Sequence, residues 1–224
     1  MSGTLYIVAT PIGNLEDITL RALRILGEAN VIFAEDTRVA KKLLAKYEID
    51  TPVHRLDAHT EAKGAAEIIE RIKEGQKVAY VSDAGTPGVS DPGARLVARA
   101  REAGARVETI PGPSSVTAAL AIAGVSGDSF TFLGFLPHKK GRQTALRGIA
   151  ETERLVVLFE STHRIGKLLN ELHEYIPGRT VTIARELTKV HEEVLTGAPN
   201  ELLGVLTEYP EKQKGEFVVL VHQR

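Results

Sequence analysis

The sequence predicts an α/β protein: two α/β domains with mainly parallel or mixed sheets and a cleft between them. Three observations carry this expectation. Short β-rich runs alternate with amphipathic helical stretches almost to the end of the chain, the pattern of strands covered by helices. The segment PGPSS, 111–115, breaks that alternation near the middle. The length, 224 residues, allows one large domain or two compact ones. The expected division is an N-terminal domain over 1–112 and a C-terminal domain over 113–224.

The elements follow from local patterning. TLYIVA, 4–9, reads as a strand closed by Pro11 and Gly13. Ile18, Ala22, Leu23, Ile25 and Leu26 have helical spacing, with Asp17 as the expected cap and Gly27 as the stop. A strand is expected over 31–34, and helices over 37–47 and 60–73. A strand over 77–81 runs straight into SDAGTPGVSDPG, after which Asp91 is expected to cap a helix starting near Pro92 and continuing over 94–103. RVETI, 106–110, is the last strand of the first half. The second half gives helices over 116–123, 142–151, 164–175 and 199–206. Its strands are expected over 130–135, 154–159, 180–184, 192–195 and 217–221.

Composition narrows the function. The chain has 28 Lys+Arg against 29 Asp+Glu, so it is not a general polycation, although a local basic patch stays open. A 43% hydrophobic and 25% charged chain is not wholesale disordered. Cysteine is absent, which removes disulfides, thiolate zinc sites and a Cys nucleophile. H-E-x-x-H, G-x-S-x-G and Walker lysine patterns do not occur, so no metal is expected, and serine hydrolase and P-loop chemistry are disfavoured. The N-terminus lacks the layout of a signal peptide and no apolar run reaches membrane-spanning length. A cytoplasmic location is the expectation.

Six segments carry chemistry. ATPIGN, 9–14, follows the first strand and is either a plain β–α turn or a loop that brings backbone to a ligand; it is not a dinucleotide fingerprint. SDAGTPGVSDPG, 82–93, holds three Gly, two Pro and two Asp in twelve residues after a buried strand, too dense in special residues for a simple turn. Long loops at the carboxyl ends of parallel strands are where such folds bind ligands. Ser114 and Ser115 open a small-residue helix, as caps or as hydroxyls facing a ligand. After EDTR, 35–38, Arg38, Lys41, Lys42 and Lys46 recur on one helical face, a solvated stripe or a phosphate contact. Between Phe130 and Ala150 there is no acidic residue, while Lys139, Lys140, Arg142 and Arg147 cluster around Gly141. That loop is either solvated or suited to RNA. Glu160, His163, Arg164, Glu186, Lys189 and His191 stand at strand ends of the second half, as surface ion pairs or as groups for proton transfer.

Taken together, LYIVATPIGNLEDIT, EDTR, VAYVSDAGTPGVSDPG, PGPSSVTAAL, FLPHKKGR, ARELTKVHEE and KGEFVVLV resemble the bacterial 16S rRNA (cytidine 2′-O)-methyltransferases of the tetrapyrrole methylase superfamily. The likeness covers almost the whole chain in order. It implies S-adenosylmethionine in the cleft, a homodimer, and methylation of a cytidine ribose in the decoding region of 16S rRNA, free or in the small ribosomal subunit. By this likeness Pro11, Asp83, Ala84, Gly85, Thr86, Pro87, Ser114, Ser115, Val116, Phe159, Leu187 and Gly215 surround the cofactor. Phe159 and Thr162 depart from the relatives' FYESPHR, and Gln143 stands where a second Arg is usual. The chain ends at Arg224, where many relatives continue into a helical segment.

The expected roles follow from the chemistry. Lys189 orients the ribose hydroxyl or the adjacent phosphate, and Glu160 or Glu186 accepts its proton. Arg38, Lys139, Lys140 and Arg142 hold RNA phosphates. The alternatives are a methylase of a tetrapyrrole such as a cobalamin precursor, or a non-catalytic RNA-binding module. The basic loop and EDTR favour RNA over a macrocycle, and a bare module gains nothing from the cofactor.

Overall fold

In the computed structural model, which describes residues 3–57 and 61–223, the first five strands all run the same way. They are β1 (Thr4–Val8), β2 (Val31–Ala34), β3 (Val53–Arg55), β4 (Lys77–Val81) and β5 (Arg106–Ile110), in the order β3-β2-β4-β1-β5. Alternate residues of each strand point to opposite faces. Tyr6, Val8, Ile32, Ala34, Ala79 and Val81 pack with α1 (Leu20–Glu28) and α2 (Thr37–Lys46). Leu5, Val31, Phe33, Val78 and Tyr80 pack with α3 (Glu61–Lys73) and α4 (Ala94–Glu102). Burial on both faces explains why β1, β2 and β4 read as near-continuous apolar runs rather than as alternations. By its contacts the chain divides into Met1–Ser114 and Ser115–Arg224.

The second unit carries β6 (Phe130–Phe135), β7 (Leu155–Ser161), β8 (Val181–Arg185), β9 (Glu193–Gly197) and β10 (Glu216–Val221). Their order is β6-β7-β10-β8-β9; β6 and β7 are parallel and the other pairs antiparallel, a mixed sheet. Its helices are α5 (Ser115–Ile122), α6 (Arg142–Glu151), α7 (Ile165–Tyr175) and α8 (Pro199–Glu208). Val156, Leu158, Val181, Ile183, Phe217 and Val219 form one core with α6, α7 and α8. The small-residue helix α5 packs against β10. Among the described residues no helix is long and apolar enough to cross a membrane.

Several expected details change. Asp17 does not cap α1: it lies in a 3-10 turn, Leu15–Asp17, and the Thr19 hydroxyl accepts the Ala22 N–H at 3.1 Å instead. Gly27 does not stop that helix, which continues to Glu28. Asp91 does not cap α4: Gly93, at φ +121°, holds the cap position and the helix begins at Ala94. The short edge strand β3 was not expected, because three residues are too few to show a period. Thr60, the expected start of the third helix, lies outside the described residues.

Gly93 is required twice over. Its φ favours glycine, and a Cβ there would lie 2.7 Å from Cε1 of the buried Tyr80. Gly93→Ala is expected to lower unfolding stability by about 2 kcal/mol or more, read from urea denaturation. An unchanged midpoint would contradict this account of the turn.

Candidate functional site

Because the first five strands are parallel, their carboxyl ends share one edge, and the loops that follow β1, β2, β4 and β5 meet there. Thr10 and Gly85 exchange both backbone hydrogen bonds, at 2.9 and 3.0 Å, which ties the loop 9–14 to the loop 82–93. The Thr10 hydroxyl donates to the Ser82 carbonyl at 3.3 Å, and the Thr86 hydroxyl donates to the Pro113 carbonyl at 3.2 Å. Gly85 has φ +76°, and a Cβ there would sit 3.4 Å from Ile12. Asp83 accepts the backbone N–H of Asp36 at 2.9 Å, anchoring the start of α2. Pro11, Ile12, Val39, Lys42, Leu43, Asp83 and Ala84 line part of a cavity of about 210 Å³. Its walls are mostly apolar, with a carboxylate and an ammonium among the lining groups.

Carboxylates crowd this edge. Burial pushes Glu35 above its ordinary pKa, and the charges of Asp83, Asp91, Asp57 and Asp36 push the same way. Asp91 is raised to about 6, chiefly by burial, with the Asp83 charge adding and a hydrogen bond with Ser82 opposing. Asp36 goes the other way, to about 2, because the Arg38 side chain and N–H bond its carboxylate. Arg38, expected to reach phosphate, therefore has its guanidinium already paired: its Nε lies 3.0 and 3.1 Å from the two Asp36 oxygens.

In the second unit the structure brings Glu186, Lys189 and Gly215 together, and adds Glu216. The Lys189 ammonium donates to Glu186 at 2.9 Å and to Glu216 at 3.0 Å. The same Glu186 oxygen also accepts the Glu216 N–H at 2.9 Å. Burial alone would lower the Lys189 pKa, but its two carboxylate partners outweigh this and raise it. Burial likewise opposes ionisation of Glu186, and the bonds from Lys189 and the Glu216 backbone win and lower its pKa. The pair is therefore ionised at neutral pH. This corrects the role of Glu186: a carboxylate with a depressed pKa and a doubly used oxygen is a poor proton acceptor and a good anchor. Gly215 makes the arrangement possible, since a Cβ there would lie 2.5 Å from Cγ of Glu186. Thr162 fixes that glycine by bonding both its N–H and its carbonyl at 2.8 Å.

The turn after β8 is strained. Glu186 and Thr188 have φ +52° and +64°, and for a β-branched residue that costs about 1–2 kcal/mol. Leu187 between them is buried. Ser115 is the first residue of α5, Val116 is buried, and Phe159 is half-buried against Phe132 and Phe135.

Two expected site residues prove to be structural. Glu160 is 2% exposed; its carboxylate pairs with Arg164 at 2.7 Å and accepts its own neighbour's N–H from Ser161 at 2.8 Å. It is withdrawn as a proton acceptor, because substrate cannot reach it. Arg142 is 4% exposed, pairs with Glu171 at 2.6 Å and donates to the Pro137 carbonyl at 3.1 Å, so it does not hold phosphate. Lys139 and Lys140 are exposed and carry no ion pair among the described residues. Glu216 and Glu35 were missed as site residues; KGEF and EDTR contained them, but nothing in one sequence separates an ordinary strand-end acid from one that grips a lysine.

Two outcomes test this geometry. Arg142→Ala is expected to destabilise the protein by about 3 kcal/mol in urea denaturation, as breaking a buried ion pair does, whereas a phosphate-binding surface arginine would cost little. For Asp91, the folded-state pKa lies above its ordinary 3.8, so its contribution is full below that value and is lost as pH rises through about 6. The melting temperature of Asp91→Asn should therefore gain on wild type between pH 4 and 7.5. A difference that stays constant across that range would show that Asp91 is not perturbed.

Comparison with known proteins follows the same outline. The profile of the Tetrapyrrole (Corrin/Porphyrin) Methylases matches residues 4–202. The Ribosomal RNA small subunit methyltransferase I of Thermotoga maritima is 45% identical over 221 residues, covering 98% of each chain. The protein of that name from Neisseria meningitidis serogroup B is 45% identical over 225 residues, 99% of this chain and 77% of that one. Among solved structures, diphthine synthase superposes with a TM-score of 0.78 at 16% identity, covering 99% of this chain and 90% of that one. Cobalt precorrin-4 methyltransferase superposes with a TM-score of 0.73 at 20% identity, covering 98% and 94%. The two structural likenesses speak for the fold.

Proposed function

The chain belongs to the tetrapyrrole (corrin/porphyrin) methylase family, and from that premise we propose that it transfers a methyl group from S-adenosylmethionine to a cytidine ribose 2′-hydroxyl in the decoding region of small-subunit ribosomal RNA. The observation that carries this reading is 45% identity, over nearly the full chain, to proteins named Ribosomal RNA small subunit methyltransferase I. The same reading takes the working form as a homodimer.

The residues present suit the methyl donor. It is cationic at both its sulfonium and its amino group, and the loop edge of the first unit carries carboxylates whose pKa values burial and mutual charge push up. A cation there relieves that repulsion. Close backbone approach at Gly85 and the apolar cavity beside Pro11 and Ala84 suit the uncharged parts. Asp83 to Pro87, with Pro11 and Ser114, would hold it from the first unit. For Ser115, Val116, Phe159, Leu187 and Gly215 in the second unit, a cofactor role rests on the family resemblance alone. Bound, the donor supplies a methyl carbon already activated by its sulfur.

The protein's task is then position and electrostatics. A ribose hydroxyl becomes a nucleophile as its proton leaves to solvent, and the developing oxyanion needs a fixed positive charge. The Lys189 ammonium, kept protonated by Glu186 and Glu216, provides one. Glu186 is a positioning residue: it aims the ammonium without meeting the substrate.

The test is mass mapping of ribose methylation on small-subunit RNA incubated with the protein and S-adenosylmethionine. One 2′-O-methylcytidine in the decoding region is expected; methyl on a base, or on no nucleotide, would refute the reading. Lys189→Ala should lower turnover about 100-fold with cofactor affinity intact. Gly215→Ala should lower it at least about tenfold, because the added methyl displaces the Glu186 carboxylate that aims the lysine.

A further inference from the structure

The aromatic side chains of β6 do not sit where an unbroken strand would put them. Phe132 and Phe135 are an odd number of residues apart and would face opposite sides of a regular strand. The ladder slips between Phe132 and Gly134: Phe132 pairs with Val157, Gly134 with Leu158 and Phe135 with Phe159. Leu133 is the extra residue of this bulge, and Gly134, at φ +60°, turns the chain through it. As a result both rings contact Phe159, with centroids 4.9 and 5.5 Å away and edge-on geometry. The three rings share the sheet face opposite Val156 and Leu158, which belong to the main core.

Phe135 is 52% exposed, the most open phenylalanine of a strand in which only Gly134 is buried. It is nevertheless held in place. The Arg164 guanidinium lies 5.8 Å from its ring centroid. That guanidinium is itself fixed by Glu160 at 2.7 Å and by the Leu136 carbonyl at 3.1 Å. The buried charges around Glu160 thus set a rigid cation beside a rigid, half-open ring. Immediately beyond come His138, Lys139 and Lys140, exposed and without ion pairs among the described residues.

We propose that Phe135, backed by Phe159 and Arg164, is a stacking platform for an unpaired base of the RNA substrate, with Lys139 and Lys140 on the flanking phosphates. The inference rests on the RNA reading above and deepens it. An aromatic face beside free cations is the chemistry of single-strand recognition, in which bases stack and phosphates are neutralised. Charge decides against a second copy of this chain as the occupant. The stretch 130–150 has no acid, so its exposed lysines find their counter-charge in a polyanion, whereas the same stretch of a second copy near a two-fold axis brings only like charge.

The experiment measures affinity for a single-stranded decoding-region RNA over a salt series. Phe135→Ala should weaken binding about tenfold or more at every salt concentration without changing the slope, and Phe135→Tyr should restore it. Lys139→Ala with Lys140→Ala should flatten the slope by about one to two units. Phe135→Leu serves as a second variant should alanine impair folding. Cofactor affinity by calorimetry should not move in any of them. Wild-type RNA affinity in Phe135→Ala and Phe135→Leu would overturn the proposal. So would a change of oligomeric state, or a loss of cofactor affinity, with RNA binding intact. If wild type itself neither binds nor methylates RNA, the functional reading fails and takes the platform with it; wild-type methylation alongside unaffected variants refutes the platform alone.

Discussion

Five strands that run the same way must leave their carboxyl ends on one edge, and the ligand-facing features of the first unit follow from that constraint. The loops after β1 and β4 emerge side by side because Val8 and Val81 are paired, and the loop after β5 joins them because Val8 also pairs with Ile110. The Thr10–Gly85 bridge then locks two loops that lie far apart in sequence. The same convergence crowds acidic groups. Glu35 follows β2, and Asp83 and Asp91 follow β4, so the topology buries Glu35 and Asp91 beside the Asp83 charge, and burial first and that charge second lift the pKa values of these two.

The second unit solves a different problem. Arg142, Glu160, Arg164 and Glu171 bring charges into a largely dry environment, where attraction between ions barely offsets their lost hydration. Such a network is a weak source of stability but a strong source of geometry. It fixes the Arg164 head group and the segment around Leu136, and so determines where the chain leaves β6. At the ends of β8 and β10, the strained turn after β8 and the glycine before β10 let a glutamate and a lysine meet at close range. Both devices convert local cost into fixed direction, the property methyl transfer demands of its surroundings.

Much of the fold was legible in the sequence. Runs such as VIFA and KVAYV announce strands buried on two faces, and Gly-rich loops mark their ends. The misreadings share a cause: local signals compete, and one sequence does not rank them. Asp17 and Thr19 are both good caps, and the chain uses the one that leaves a 3-10 turn before it. Asp91 and Pro92 look like a helix start, but the positive φ of Gly93 delays the helix and turns Asp91 toward Ser82. For the site, Glu186 and Lys189 lie three residues apart, and the structure joins them within one turn. Arg142 and Glu160 could not be judged that way. Their charge type suits a surface, and only tertiary packing reveals that they serve each other's neighbours inside.

The bulge in β6 has one more effect, unrelated to chemistry. That strand is a margin of its sheet, with Phe130 and Leu133 partly in water. A straight apolar margin is an open template for another chain's backbone. The extra residue interrupts the regular ladder of amide and carbonyl groups, so an incoming strand finds no continuous register to copy, and the protein is guarded at that margin against fibril-like self-association.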